Sequence, residues 1–276
     1  MGKVKTEPFA FLDRHVPVCS MLRHTIVVPT HNAAHHIATT IESLLSQRNA
    51  RFEVIFIDGE SRDRTLEIIR SFEDSRFRIQ SAPTSQYYEM VNRGVAMAQG
   101  EYVQILNPGD SYLYPDALNM ASWQIAKNDF PDLFYTASIL RDEWAESHFF
   151  FRPLKKEFLR KGMQPTHLNS LWVKRETFKK MGSFPIDYDL RGALDFFIRF
   201  SKHRELLASS EMRVYIESAP YIADTGYLLK NFKETFQLIV HHYGFFWALS
   251  YLFVQKDLKR LCRHYIKKIR SSFQGR

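Results

Sequence analysis

Three apolar runs in the first 110 residues end in side chains that could bind a ligand. VVPTHN carries Thr30 and Asn32, FEVIFID ends at Asp58, and YVQILNPGD ends in Asn107 and Asp110. Hydroxyl, amide and carboxylate oxygens can hydrogen-bond a ribose or a base, and a carboxylate can also hold a hard divalent cation. The residue types therefore predict a polar ligand site in which Asp110 is suited to Mg²⁺ or Mn²⁺.

These runs belong to a regular alternation of strand-like and helix-like segments. Four apolar runs have the length and composition of buried strands: 24–30, 52–58, 77–82 and 101–107. Three segments between them place apolar residues at helical spacing: 33–47, 62–74 and 85–99. Such βαβ units predict a mostly parallel central sheet with helices on both faces, and ligands bind at the carboxyl ends of its strands. Asn32 is a candidate N-cap for the first helix.

The regular alternation of strands and helices ends near Pro115, and the sequence pattern predicts helix from Lys230 onward. We therefore divide the chain into an extension at 1–23, a main domain at 24–226 and a C-terminal helical, aromatic and basic segment at 227–276. Within the main domain, 24–115 forms the first half and 116–226 the second half.

The composition favours a globular protein whose positive charge is localised. The formal net charge is +8, and residues 255–276 carry +7 of it, with eight Lys or Arg residues against Asp257. Charge confined to one segment argues against a broad nucleic-acid-binding surface, so no nucleic-acid partner is expected. Cys19 and Cys262 are too few and too distant for a disulfide framework, and the N-terminus lacks a continuous apolar segment. Both features favour a cytoplasmic location.

Short motifs of several common enzyme classes do not occur. There is no GxGxxG after a strand, no GxxxxGK[ST], no HExxH and no GxSxG. Dinucleotide oxidoreductases, P-loop NTPases, zincins and α/β-hydrolases are therefore disfavoured.

Five motifs occur in an order that resembles a known family. VVPTHN, SLLSQ, FEVIFIDGESRDRT, QYYEMVNRGVAMAQGEYVQILNPGD and YPDAL together resemble the family 2 glycosyltransferases with the GT-A fold, most closely the branch that builds bacterial polysaccharides. The likeness continues weakly through PTHLNSLWVKRETFKKMGSF and LDFFIRF, so that it covers about 24–226. The resemblance implies that 24–115 is a nucleotide-binding half and 116–226 an acceptor half.

The resemblance implies an inverting glycosyltransferase that acts in surface polysaccharide biosynthesis. The implied donor is a nucleotide-diphospho-sugar of the UDP or GDP type, and the implied acceptor is a glycan or a lipid-linked saccharide. An aspartate would deprotonate the acceptor hydroxyl, while Mn²⁺ or Mg²⁺ would neutralise the leaving diphosphate.

Carried over by motif, the resemblance assigns a role to eleven residues. Asp195 is the implied catalytic base, with Asp189 and Asp187 as alternatives, Asp110 is the implied metal ligand, and His167 is the implied acceptor-side histidine. The implied donor-binding residues are Pro29, Thr30, Asn32, Asp58, Tyr88, Asn92, Arg93 and Asn107.

The sequence departs from the family pattern at several of these motifs. Thr84 and Gln86 stand where the family has Asp and Gly, Leu168 replaces a Gln, and Ala193 stands where the first of two Asp residues is expected. Asn107 matches a variant of the metal motif in which the first acid becomes Asn. The departures leave an alternative open, namely a catalytically inactive GT-A-fold protein that binds a nucleotide, a glycan or a partner protein. A basic-tailed membrane adaptor that keeps the fold as a scaffold is a third interpretation.

An uncharged aromatic stretch precedes the basic tail. Residues 235–254 contain no formally charged side chain over 20 positions, which is long enough to span a bilayer, although His241 and His242 interrupt the apolar run. An interfacial helix, a helix packed on the catalytic domain and a transmembrane helix all stay open. The basic segment after it resembles an anchor drawn to anionic lipid, so peripheral contact through 235–276 with the inner face of the plasma membrane is expected.

Overall fold

The protein was analysed as a computed structural model, which describes residues 22–48, 50–141, 147–203, 207–218 and 225–254. Its strands are β1 Arg23–Thr30, β2 Arg51–Asp58, β3 Phe77–Ser81, β4 Tyr102–Ile105, β5 Ser111–Tyr112, β6 Leu133–Arg141, β7 Ser147–Phe150, β8 Leu171–Lys174 and β9 Leu207–Ser218. Its α-helices are α1 Ile37–Leu45, α2 Thr65–Ser71, α3 Tyr87–Met97, α4 Ala117–Lys127, α5 Lys156–Leu159, α6 Arg175–Met181, α7 Gly192–Lys202, α8 Thr225–Tyr243 and α9 Phe245–Val254. A 3₁₀ turn covers Leu168–Ser170.

The strands form one mixed sheet in the order β3-β2-β1-β4-β8-β6-β9-β5, and β7 pairs with β6. Strands β1 to β4 are parallel, as the alternating sequence pattern predicted. The other pairings are antiparallel except for β6 with β9, so the parallel order is a property of the first half. Strands β6 and β7 are joined only by residues 142–146, and a connection this short permits antiparallel pairing alone.

Both faces of β1, β2 and β4 are buried, which confirms the predicted α/β fold class, whereas β3 at the edge of the sheet is half-buried to exposed. Successive residues of β1 enter different cores: Val27 shares one core with Val91 and Phe196, while Ile26 shares the other with Ile41. Helices α3, α6, α7 and α8 cover the first face, and α1, α2 and α4 cover the second. Alternation of side chains along a strand buried on both faces explains why these strands are continuously apolar.

The first helix begins later than the sequence predicted. Asn32 was a candidate N-cap, but α1 begins at Ile37 after His36, and Asn32 instead has a positive φ of 49°. An Asn side chain tolerates this left-handed conformation because it hydrogen-bonds locally. Asn32 is therefore part of the loop between β1 and α1.

The uncharged run at 235–254 does not form a single helix. Gly244, with φ of 91°, separates the end of α8 at Tyr243 from the start of α9 at Phe245. Leu238 of α8 lies in the same core as the α7 aromatic residues, so α8 packs onto the acceptor half. Within the described ranges, no helix is both long and apolar enough to cross a membrane.

Helix α3 packs directly on β1 at Gly94. A Cβ placed on Gly94 would overlap Cγ1 of Val27, whose side chain is completely buried. We expect Gly94→Ala to lower the free energy of unfolding by about 1–3 kcal/mol, because overpacking forces the helix away from the strand. Urea denaturation measures this change.

The matched control for this substitution is Ala96→Ser, at an exposed position of the same helix. It should change the free energy of unfolding by no more than about 0.5 kcal/mol. Equal urea midpoints for Gly94→Ala and the wild type would contradict the close packing of α3 on β1.

Candidate functional site

Asp58 organises the loops that follow β1 and β2. It is 1% exposed and pairs across the two strands with Thr30, whose hydroxyl donates to Asp58 Oδ1 at 3.2 Å. Ser61 donates twice, from its hydroxyl to Oδ1 at 2.6 Å and from its N–H to Oδ2 at 3.0 Å. A carboxylate has about four acceptor positions, so these three bonds leave one on Oδ2. A ligand N–H or O–H could use that position.

Asn32 joins the first loop to the second. Its N–H donates to Ser61 Oγ at 2.9 Å, and its side-chain Oδ1 accepts from the N–H of Arg62 at 2.9 Å. Its amide nitrogen lies 3.1 Å from Nε2 of His31, whose Nδ1 lies 2.6 Å from the Gly59 carbonyl oxygen. The two loops therefore form one hydrogen-bonded wall at the carboxyl end of the sheet.

Two tyrosines at the start of α3 connect that wall to the rest of the site. The Tyr87 hydroxyl donates to Asn107 Oδ1 at 2.8 Å. Burial, followed by the nearby Tyr88 and Asp110, raises the pKa of Tyr87 well above its usual value, so the donor proton is retained. The Tyr88 hydroxyl accepts from the N–H of Ala193 at 3.0 Å, which brings the start of α7 to the same edge.

The loop after β4 is closed by its own hydrogen bonds. Asp110 is 2% exposed, and its Oδ2 accepts from the N–H of Asn107 at 2.8 Å, while the N–H of Asp110 donates to the Asn107 carbonyl at 2.9 Å. The buried hydroxyl of Thr40 on α1 donates to the same carbonyl and accepts from the N–H of Gly109. Asn107 and Asp110 are thus held in a fixed arrangement beside Tyr87.

The side chains around Asp110 determine whether the expected metal ion could bind there. No group of three or more His, Cys, Asp or Glu side chains suited to a metal ion occurs among the residues that the structure describes. Asp110 is the one carboxylate of its loop, so protein ligands alone do not complete a site there. Mg²⁺ commonly takes only one or two carboxylates and completes its shell with water and substrate phosphate oxygens. The residues therefore fit a cation that enters together with a phosphate-bearing ligand.

The start of α7 is capped by a carboxylate from a different helix. Glu234 of α8 is 5% exposed and accepts from the backbone N–H groups of Asp189, Leu190 and Arg191 at 2.8–3.1 Å. A negative charge at a helix N-terminus satisfies the free N–H groups and the helix dipole. Glu234 therefore fixes the loop before α7 next to Tyr88.

His167 lies on the acceptor half beside two guanidinium groups. Its ring packs 4.4 Å from the ring of Phe150, and its Nε2 is buried without a hydrogen-bond partner among the described residues. Burial, and then the positive charges of Arg191 and Arg152, lower the pKa of His167 to about 4. The imidazole is therefore neutral at pH 7 and can exchange a hydrogen bond with a ligand.

Asp195 sits in the first turn of α7, where both its oxygens are occupied. Oδ2 accepts from Arg199 Nε at 2.6 Å, and Oδ1 lies 2.7 Å from Nε2 of His242 on α8. Burial raises the pKa of Asp195, but the hydrogen bonds from His242 and Arg199 outweigh it and hold the pKa below its usual value. Asp195 thus also joins α7 to α8.

The two alternative acids lie on the loop before α7. Asp189 is exposed and pairs with Lys230 of α8. Asp187 is exposed two residues earlier. Both can be reached from solvent, in contrast to Asp195.

Two of the predicted donor-binding residues point elsewhere in the structure. The Asn92 amide exchanges two hydrogen bonds with the backbone of Phe184, at 2.8 and 2.9 Å. Arg93 is exposed and pairs with Glu89 one turn away on α3. Pro29 lies in β1 opposite Ile57, so it shapes the strand end and offers no side-chain hydrogen bond.

Sequence reasoning missed four residues that shape this site: Tyr87, Arg191, Glu234 and His242. Tyr87 adjoins the motif residue Tyr88, and two adjacent tyrosines at a helix start could have indicated it. His242 interrupts an apolar run, which signals a buried polar contact. Glu234 had no sequence signal, because its three partners are backbone groups more than 40 residues away.

The wall around Asp58, the Asn107–Asp110 loop and the start of α7 lie along one edge of the sheet. This arrangement offers hydrogen-bond acceptors at one end, a buried carboxylate in the middle and a neutral histidine beside guanidinium groups at the other. It suits a ligand with a polar ring system, phosphate groups and a second polar ring.

Comparisons with known proteins agree with this arrangement. The family model described as glycosyl transferase family 2 matches residues 25–177, which is more than half of the chain. A PGL/p-HBAD biosynthesis glycosyltransferase of Mycobacterium bovis is 28% identical over 181 residues, covering 63% of this chain and 68% of the relative.

Solved structures share the fold at low sequence identity. S. aureus TarS 1–349 in complex with UDP superposes with a TM-score of 0.64 and 18% identity, over 80% of this chain and 65% of that chain. This chain therefore spans just under two thirds of that protein fragment. A mannosyltransferase from Pyrobaculum calidifontis, solved with GDP-Man and Mn²⁺, superposes with a TM-score of 0.57 and 17% identity, over 90% and 81% of the two chains.

The family match extends from β1 into the first turn of α6, and it includes Asp58, Tyr87, Asn107 and Asp110. The chain therefore belongs to glycosyl transferase family 2 and is a glycosyltransferase.

Proposed function

We propose that the chain transfers a sugar, with inversion, from a UDP- or GDP-type nucleotide-diphospho-sugar to a glycan or lipid-linked acceptor in surface polysaccharide biosynthesis. The observation that carries this proposal is the parallel register, which aligns Thr30, Asp58 and the Asn107–Asp110 loop at one edge of the sheet. The solved complexes with UDP and with GDP-Man support a nucleotide-sugar donor.

The nucleoside of the donor is proposed to lie against the Asp58 wall. The remaining acceptor position on Asp58 Oδ2 would take an N–H of the base or a ribose hydroxyl. Asn32 and Thr30 keep that carboxylate oriented through Ser61 and through a direct hydrogen bond. Pre-organisation of this kind lowers the entropy cost of binding.

The diphosphate is proposed to lie beside Asp110, together with Mn²⁺ or Mg²⁺. Asp110 would hold the cation, and the hydrogen bonds from Tyr87 and Thr40 keep the loop in place. When bound there, the cation would neutralise negative charge on the leaving diphosphate.

The acceptor is proposed to approach from the side of His167 and the start of α7. The acceptor oxygen attacks the anomeric carbon, the bond from that carbon to the diphosphate breaks, and the acceptor proton passes to a carboxylate. The role of base stays a prediction for Asp195, with Asp189 and Asp187 as alternatives. His167, being neutral, would hydrogen-bond an acceptor hydroxyl.

A catalytically inactive protein that binds the nucleotide or a glycan is the competing proposal. It is favoured by Ala193, which adjoins the Tyr88 hydroxyl yet carries no acid, and by the two hydrogen bonds that occupy Asp195. The two proposals differ in turnover: the transferase consumes a nucleotide-sugar donor, whereas the inactive protein does not.

Calorimetry with UDP and GDP, each with and without Mn²⁺, tests the donor site. We expect Mn²⁺ to tighten the binding of one nucleotide. Asp110→Asn should weaken that binding in the presence of Mn²⁺ by about tenfold, because the cation loses its charged ligand. Asp129→Asn is the matched control, because this exposed acid at the end of α4 adopts a positive φ that Asn tolerates. Its affinity should equal that of the wild type.

An absence of binding for both nucleotides would contradict the donor site itself. Metal-dependent binding that survives in Asp110→Asn would contradict the assignment of Asp110 as the ligand.

The base is tested by Asp195→Asn, Asp189→Asn and Asp187→Asn in a transfer assay. Loss of the group that accepts the proton should lower kcat by about 100-fold or more with little change in KM. If none of the three variants lowers kcat to this extent, the base does not lie in the segment 187–195.

The contact of Asp195 with α8 makes a separate prediction on stability. Asp195→Asn should lower the free energy of unfolding at pH 7 by about 1–3 kcal/mol, because charged hydrogen bonds to Arg199 and His242 are lost. Asp189→Asn, which breaks only the exposed pair with Lys230, should cost less than about 1 kcal/mol. Urea denaturation measures both.

The pH dependence of that stability has a defined sign. The pKa of Asp195 is lowered in the folded state, so its stabilisation is present above the unfolded pKa of about 3.9 and is lost as the pH falls through the folded value. The difference in stability between the wild type and Asp195→Asn should therefore shrink below about pH 4. A difference that stays constant down to pH 2, well below about 3.9, would contradict a charged Asp195.

A further inference from the structure

Three consecutive aromatic residues at the start of α9 are exposed to solvent. Phe245 is 57% exposed, Phe246 86% and Trp247 44%, and we call these three residues the aromatic patch. Isolated exposed apolar residues are common on proteins, but a contiguous set of large aromatic side chains marks an interaction surface.

The fold itself keeps the patch exposed. Gly244 turns the chain between α8 and α9, and α9 packs back on α8 through Ala248 and Tyr251. The Tyr251 ring stacks on Phe232 of α8 at 6.0 Å. Because that face of α9 is buried, the patch at its first turn is directed away from the α8 contact.

A cationic segment lies beside the patch and contacts it through Arg160. The Arg160 guanidinium lies 4.4 Å from the centre of the Trp247 ring and 5.5 Å from that of Tyr243. Residues 155–161 carry four Lys or Arg residues against one Glu, and Lys156 and Lys161 of this segment are exposed. Residues 255–276, which follow in the sequence and lie outside the described ranges, carry a net charge of +7.

We propose that the aromatic patch and the cations beside it bind the surface of an anionic lipid bilayer. Trp and Phe side chains are favoured at the boundary between lipid headgroups and acyl chains, and nearby Lys and Arg residues are attracted to anionic headgroups. Both kinds of group occur here on adjacent elements, and no helix among the described residues is long and apolar enough to span a membrane. The proposed contact is peripheral.

A second copy of the chain fits this surface less well. A two-fold interface would place the patch of one copy against the patch of the other, together with their cations. Like charges facing each other oppose association, whereas anionic lipid complements both the patch and its charge. The positive charge therefore favours binding to an anionic membrane over self-association.

This surface goes beyond the transfer reaction, since lipid binding needs neither donor nor base. It would hold the acceptor half close to a lipid-linked acceptor. Lipid binding is measured separately from sugar transfer. A protein that transfers sugar without binding lipid, or binds lipid without transferring sugar, would distinguish the two proposals.

Co-sedimentation of the full chain with vesicles tests the proposal. The wild type should bind vesicles of phosphatidylglycerol and phosphatidylcholine in equal parts, and should bind phosphatidylcholine alone at least about tenfold more weakly. The triple substitution Phe245→Ser, Phe246→Ser and Trp247→Ser should weaken binding to the mixed vesicles by about tenfold or more. Phe149→Ser, at a 73% exposed aromatic residue on β7, is the matched control and should bind as the wild type does.

A second variant separates loss of binding from loss of folding. Lys156→Glu with Lys161→Glu reverses two exposed charges and should weaken binding to mixed vesicles while leaving the far-ultraviolet circular dichroism unchanged. Equal binding to both vesicle types, or undiminished binding by the triple variant, would overturn the proposal. A dimer in solution that becomes a monomer in the triple variant, without vesicle binding by the wild type, would assign the patch to a second copy instead.

Discussion

The parallel register of β1, β2, β3 and β4 is the constraint on which the site depends. It pairs Thr30 with Asp58 and places the ends of all four strands at one edge of the sheet. Because both faces of β1 are buried, a shift of one residue would move core side chains such as Ile26 and Val27 to the wrong face. The burial that stabilises the fold therefore also fixes the position of the loop side chains.

The acceptor half depends on a second set of contacts, made by α8. Glu234 caps the start of α7, Thr235 accepts from Arg191 Nε at 2.7 Å, and His242 contacts Asp195. Through these contacts, α8 positions the segment that carries the candidate bases. The chain continues from α8 through Gly244 into α9, which carries the aromatic patch. The helix that holds the acceptor loop is therefore directly connected to the proposed membrane surface.

The sequence was most informative where local pattern and long-range order agree. Apolar runs with polar ends predicted the first four strands, and motif order predicted the family that the comparisons confirm. It was least informative where a side chain meets backbone far away in the chain. Nothing in the local sequence indicates that Glu234 caps α7 or that Asn92 pairs with Phe184. The uncharged run at 235–254 was ambiguous because Gly244 alone decides whether it forms one long helix or two shorter helices.

The central claim is that the edge of the parallel half holds a nucleotide-sugar and activates it. The most direct measurement is release of UDP or GDP from a panel of UDP- and GDP-sugars, incubated with the purified chain and Mn²⁺ and followed by chromatography. Water can act as a slow acceptor, so the account predicts release of nucleoside diphosphate from at least one donor above the rate without protein. Binding of the nucleotide with no release from any donor, with or without added saccharide acceptors, would contradict it and favour the inactive binding protein.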